Sequence, residues 1–131
     1  MYRIGIDEIN ELKKVIESGD LFKINDGIRE SRQVEDKLKS IFKAEYSIFM
    51  TSGHAALTSA LVALGIGPGD QVIVPAYTYI AMAIAVVAAG AIPVIAEVDD
   101  TLTLSPLDTE RKITPATKAI TENPQNRPTN P

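Results

Sequence analysis

The sequence predicts an α/β fold in three layers, a parallel sheet with helices against both faces. Three observations carry this prediction. Short apolar runs of strand length alternate with helix-length segments of amphipathic or small-residue character. The strand runs are apolar throughout instead of alternating, as strands buried on both faces are. Charge also avoids the middle of the chain. Residues 1–46 hold ten acids and nine bases, residues 47–96 hold only Asp70, and residues 97–131 hold six acids and four bases. A fifty-residue block with one charge is largely buried.

The elements follow in order. Ile6, Ile9, Leu12, Val15 and Ile16 fall on one helical stripe, with Asp7 as the expected N-cap and Ser18-Gly19 as the stop. A loop is expected around Asn25-Asp26-Gly27. Ser31 then caps a second helix in which Val34, Leu38, Ile41 and Phe42 share a face. Both read as surface helices laid on a larger body. Ser47–Met50 reads as a short buried strand, followed by the turn Thr51-Ser52-Gly53 and a helix from Ala55 to Leu64. The glycine-rich run Gly65–Asp70 ends that helix in a tight turn. Val72–Val74 is the next strand, Thr78–Ala89 a helix of small residues ending at Gly90, and Ile92–Val98 a third strand. Ser105-Pro106 opens a short helix, since proline suits the first turn, and Thr117–Ile120 begins a fourth strand. Strands and helices at these spacings make right-handed βαβ units.

Composition removes several classes of function. The chain has 131 residues, a net charge of −4 and no cysteine, so a disulfide framework, thiolate-bound zinc and a thiol nucleophile are excluded. His54 is the only histidine, which leaves no multi-histidine metal site. Nothing in the bulk charge attracts nucleic acid or an anionic membrane. Residues 71–96 carry no charge and exceed the roughly 20 residues of a spanning helix. Pro75, Gly90 and Pro93 interrupt them, which favours two buried strands around a helix over a membrane span. The start, Met1–Glu8, lacks the basic and apolar regions of a secretory signal, so the expected compartment is the cytoplasm.

Two turns could do chemistry. Met50–Ala55 places backbone N–H groups and hydroxyls at a helix start directly after a strand, an arrangement that favours an anion such as phosphate, and Gly53 permits close approach. Thr51 or Ser52 would equally serve as an ordinary N-cap. Pro75-Ala76-Tyr77-Thr78-Tyr79 lies at the carboxyl end of a strand, the edge where open parallel sheets gather ligands. Tyr79 could lay its ring on a flat heteroaromatic ligand, although two tyrosines at i and i+2 commonly serve packing. Glu97, Asp99 and Asp100 end the third strand, where carboxylates either face a cleft or cap a loop. No dinucleotide fingerprint or P-loop motif occurs.

The run Tyr46–Leu57, with Thr51-Ser52-Gly53-His54-Ala55-Ala56-Leu57 at its end, and the run Ala63–Tyr79, with Gly65-Ile66-Gly67-Pro68-Gly69-Asp70 and Val74-Pro75-Ala76-Tyr77-Thr78-Tyr79, resemble the opening of the DegT/DnrJ/EryC1/StrS family. Gly90–Val94, Ile113–Ile120 and the helix Val34–Phe42 are similar to further segments of it. The resemblance runs from about Ile4 to Ile120. It implies the N-terminal portion, residues 1–120, of the large domain of a pyridoxal 5′-phosphate (PLP) aminotransferase with the aspartate-aminotransferase fold. Such an enzyme moves an amino group from an amino-acid donor to a keto sugar, often nucleotide-linked, or a cyclitol, and works as a homodimer. The resemblance further implies that Ser52, Gly53 and His54 bind the cofactor phosphate and that Tyr79 stacks on the pyridine ring, with Tyr77 a packing residue. The family's usual threonine is His54 here, so a hydroxyl contact is lost while the backbone contact remains.

Residues 121–131 hold three prolines among polar residues and cannot continue a central strand, so a divergent, disordered tail is expected from a truncated or frame-shifted chain. The family's Schiff-base lysine and the carboxylate that pairs with the pyridine nitrogen lie beyond the point of divergence. Lys118 matches an ordinary strand-start residue. On this reading the chain alone is inactive. The alternatives are a noncatalytic binding or assembly domain, and a fragment of a PLP-dependent sugar dehydratase of the same family.

Overall fold

In a computed structural model of the chain, residues 4–19, 21 and 30–122 are described. The loop expected at Asn25–Gly27 and the tail from Asn123 onward lie outside them. Contacts divide the chain into two units, 1–49 and 50–131.

The first unit holds α1 (Ile6–Ser18) and α2 (Glu30–Phe42). Gly5, not Asp7, is the N-cap of α1. The Glu8 carboxylate, three residues on, reaches back to accept from the Gly5 N–H at 2.7 Å, and Asp7 falls inside the first turn. At the other end Gly19 takes the left-handed conformation, φ 68°, and its N–H donates to the Ile16 carbonyl, as the Ser18-Gly19 stop requires. Ile6, Ile9, Leu12 and Ile16 of the α1 stripe stay exposed, from 54% at Ile9 to 69% at Ile16, and Val15 is half-buried. In α2, Ser31 lies within the first turn because the helix already begins at Glu30. Glu35 is buried, and its Oε1 accepts from the Phe49 N–H at 2.7 Å. Ser47–Met50 forms no strand, and Ile48 and Phe49 are more than half exposed.

The second unit runs α3 (Gly53–Ala63), β1 (Gln71–Pro75), α4 (Ala81–Ala88), β2 (Ile92–Ala96), α5 (Pro106–Lys112) and β3 (Thr117–Ile120). The three strands form a parallel sheet in the order β2-β1-β3. Ile73 stands opposite Val94 on one side and Ile120 on the other. Both edges of β1 are therefore taken, and no described residue pairs in a ladder with Ser47–Met50.

β1 is buried on both faces, as its unbroken apolar run demands. Val72 and Val74 pack with Leu61 of α3 and with Ala85 and Val86 of α4, while Ile73 points to the opposite face and is fully buried there. The uncharged stretch 71–96 is thus β1, α4 and β2, and among the described residues no helix is long and apolar enough to cross a membrane. The turn before β1 closes when the Asp70 carboxylate accepts from the Gly67 N–H at 3.0 Å. Gly90 ends the α4 turn at φ 83°, and a Cβ there would meet Pro68 at 3.3 Å, so this position needs glycine for both its backbone and its neighbour.

α4 begins three residues later than Thr78, whose hydroxyl contacts Met82 Sδ at 2.8 Å, and residues 76–79 form the turn before it. β2 ends at Ala96 instead of Val98, because the Glu97 N–H leaves the ladder and donates to Asp108 Oδ2 at 2.8 Å. Val98 then pairs in an isolated antiparallel bridge with Leu104. Ser105 caps α5 with Pro106 at its start, as expected. Lys112 bridges Asp108 at 2.8 Å and donates to the Ile95 carbonyl at 2.7 Å, fastening α5 to the end of β2.

Two outcomes follow from these contacts. Ile73→Ala should cost about 2–5 kcal/mol in denaturant unfolding, whereas Ile95→Ala, at a half-exposed position, should cost less than about 1 kcal/mol; equal costs would contradict the central burial of β1. The second concerns acid. The Glu97 N–H and then the Lys112 ammonium hold the Asp108 carboxyl below the usual carboxylate range. Its stabilising contribution is complete above the unfolded value of about 3.9 and is lost as pH falls through the lower folded value. Asp108→Asn should lower stability at neutral pH and flatten the acid limb of the stability curve, and parallel limbs would refute this role.

Candidate functional site

α3 starts with more donors than the chain satisfies. Ser52 is its N-cap, in extended backbone, and Ser52 Oγ accepts from the Ala55 N–H at 3.1 Å. Ala56 N–H donates to the Ser52 carbonyl at 3.0 Å. The N–H groups of Gly53 and His54 have no acceptor among the described residues. A Cβ added at Gly53 would have nothing within 4 Å, so its backbone borders open space. The Ser52 hydroxyl, while accepting from Ala55, keeps its own proton to donate.

The opposite wall comes from the turn after β1 and from the first turn of α4. Thr78, Tyr79 and Met82 face Ser52, Gly53, His54 and Leu57 across one cavity of about 790 Å³, within the usual range for small-molecule pockets. The four residues singled out in the sequence, Ser52, Gly53, His54 and Tyr79, therefore meet in one place. Tyr79 is 77% exposed, its ring free to take a partner. Tyr77, expected to pack, is 58% exposed and lines nothing here, because the turn carries it out of the core.

The helix starts around the cavity differ from the others in charge. α1, α2 and α5 each carry an acid in the first turn, which answers the positive end of the helix dipole. α3 and α4, the two helices that border the cavity, carry none. Among the described residues no carboxylate, lysine or arginine lines it. Asp99 is used otherwise: its Oδ1 accepts from the Thr101 hydroxyl and the Thr101 N–H, which hold its carboxyl below the usual range, so it caps the loop after β2. Glu97, Asp100 and Lys118 are likewise not part of the cavity wall. Among the described residues no cluster of histidines and acids could hold a metal ion.

Sequence reasoning missed Leu57 and Met82. The signal was present in the spacing, since Leu57 stands one helical turn after Gly53 and Met82 three residues after Tyr79. It required knowing which faces of α3 and α4 meet.

A model of the DegT/DnrJ/EryC1/StrS aminotransferase family matches residues 3–122. The chain belongs to this family. Among DegT/DnrJ/EryC1/StrS relatives, the spore coat polysaccharide biosynthesis protein SpsC of Bacillus subtilis is 39% identical over 118 residues, 89% of this chain and 29% of that protein. The UDP-2-acetamido-2-deoxy-3-oxo-D-glucuronate aminotransferase of Pseudomonas aeruginosa is 45% identical over 92 residues, 70% of this chain and 26% of that protein. Two solved structures are similar in fold. 3-Amino-5-hydroxybenzoic acid synthase superposes with a TM-score of 0.84 at 33% identity, over 92% of this chain and 31% of its own. Spr1654 of Streptococcus pneumoniae, in its PLP-form, superposes with a TM-score of 0.82 at 32% identity, over 90% and 29%. The chain thus spans about 30% of the length of the relatives it matches.

The cap at the head of α3 can be tested by itself. Ser52→Ala should cost about 1 kcal/mol of stability, and Ser52→Gly only a few tenths. Unfolding midpoints that do not distinguish the two would remove Ser52 from this role.

Proposed function

We propose that this chain supplies the cofactor-phosphate and ring-binding part of a PLP-dependent aminotransferase, one that moves an amino group from an amino acid to a keto sugar, often nucleotide-linked, or a cyclitol. The observation that carries the reading is the single cavity that joins an anion-seeking helix start to an exposed phenol ring. Family membership supports it, as do the printed activity of the Pseudomonas relative and the PLP-form of Spr1654.

The residues present fit the cofactor. Gly53 leaves room for a phosphate against the backbone, and the donor set there, two amide N–H groups and a hydroxyl, is the chemistry a phosphate accepts. Ser52, Gly53 and His54 would hold the phosphate, the last two through the backbone, and Tyr79 would lie against the pyridine ring. Leu57 and Ala60 would add apolar surface beside it, since they line the same cavity. Bound PLP supplies an electron sink for proton transfer next to the amino nitrogen. The part of this chain is to bind and orient. Its matched motifs hold neither a cofactor-linking lysine nor an acid for the pyridine nitrogen, and Lys118 sits on β3 outside the cavity wall. In this reading residues 1–120 are the N-terminal portion of the large domain, the working enzyme is a cytoplasmic homodimer, and the 131-residue chain alone transfers no amino group.

Titration of the chain with PLP, followed by equilibrium dialysis, tests the proposal. PLP should bind in preference to pyridoxal. Tyr79→Ala should weaken PLP by up to about tenfold and Tyr79→Phe should not. No amino transfer to a nucleotide-linked keto sugar should appear. Equal binding of pyridoxal and PLP would overturn the phosphate assignment, and turnover by the chain alone would overturn the division of labour.

A further inference from the structure

We propose that Thr78 and Met82 form a positioning pair for Tyr79, an O–H···S bracket that holds the turn bearing this ring in place before a ligand arrives. The inference rests on the stacking role given to Tyr79 above and adds two residues to it.

α4 starts without a side-chain cap. Its N-cap is Ile80, already in helical backbone and with no polar side-chain atom to offer the first N–H groups. Thr78, two residues upstream, carries the nearest hydroxyl, and that hydroxyl donates across the turn to Met82 Sδ at 2.8 Å. Met82 also reaches back through its backbone, where its N–H donates to the Tyr79 carbonyl at 3.1 Å. Tyr79 is therefore enclosed by two bonds that both end on Met82, one from the residue before it and one from its own carbonyl.

Little else fixes this residue. The Ala76 N–H donates to the Ala96 carbonyl at 2.8 Å, which anchors the chain where it leaves β1. Between that anchor and α4, the hydrogen bonds among the described residues are the two that end on Met82. Packing does not replace them, because Tyr79 is 77% exposed. An exposed ring on a loose turn loses conformational freedom when it takes a ligand, and a turn ordered beforehand avoids part of that cost.

The role belongs to the sulfur and not to the size of the side chain. Leucine matches methionine closely enough in volume to line the cavity in its place, but it has no lone pair to accept from Thr78. Thr78 lines the same cavity with its proton already committed to Met82. It thus holds the turn and offers a ligand no donor.

Two measurements on the 131-residue protein test the pair. Nitrogen-15 relaxation reads the Tyr79 amide with no ligand present. Its order parameter should lie near the rigid value of about 0.85 in the unsubstituted protein and fall toward about 0.6 in Met82→Leu and in Thr78→Val, while Thr78→Ser keeps it. Equilibrium dialysis with PLP reads the consequence. Met82→Leu and Thr78→Val should each weaken PLP about two- to fivefold, and the double variant no more than either alone. In a Tyr79→Ala background Met82→Leu should leave the affinity unchanged, whereas damage to the cavity wall itself would lower it there too. An order parameter that holds in both single variants overturns the bracket, and so does an affinity loss that persists without Tyr79. If Tyr79→Ala weakens PLP while Met82→Leu and Thr78→Val do not, the stacking reading stands and the pair alone falls. If Tyr79→Ala binds PLP as tightly as the unsubstituted protein, the stacking reading falls and takes the pair's role with it.

Discussion

The first turn of α3 offers two amide protons that nothing in the described protein accepts, and the rest of the second unit holds those protons in place. Burial does the holding. β1 is sealed on both faces and both edges, α3 and α4 share one apolar interior with it, and the head of α3 is left at the mouth of a cavity. The same packing brings the turn after β1 alongside, so that Tyr79 stands across from Gly53. An anion site made of backbone and dipole is only as good as its rigidity, which in the proposed role the buried side chains of β1, α3 and α4 would supply.

The charge distribution of the sequence acquires a second meaning in this light. The near absence of charge from residues 47–96 suits the burial of β1 and of Ala85 and Val86 in α4, and it leaves the first turns of α3 and α4 without a carboxylate. Elsewhere the chain does the opposite: Glu8 closes the start of α1, and Asp108 ties α5 to β2.

The βαβ unit was legible because its signals are local. Unbroken apolar runs, glycine-rich stops and Pro106 each state their own structure, and the four candidate residues that line one cavity were singled out from turn chemistry and resemblance. The departures share a physical cause: each depends on something nonlocal or on a side chain's reach. Ser47–Met50 has strand composition, but a strand needs a partner, and no described residue pairs with it. Asp7 is a good cap by residue type, yet the longer Glu8 reaches the Gly5 N–H. α4 starts late, at Ala81, with Ile80 at the N-cap and no side-chain cap bond. Leu57 and Met82 became part of the cavity only through the approach of α3 to α4.

Amide mapping in solution tests the central assignment most directly. With the protein labelled with nitrogen-15 and PLP added, the largest changes should fall on the Gly53 and His54 amides, with Tyr79 next. The capped starts of α1 and α5, at Gly5 and Ser105, should stay still. Changes that concentrate on those other helix starts, or on the Gly65–Asp70 turn, while Gly53 and His54 do not respond, would contradict the account.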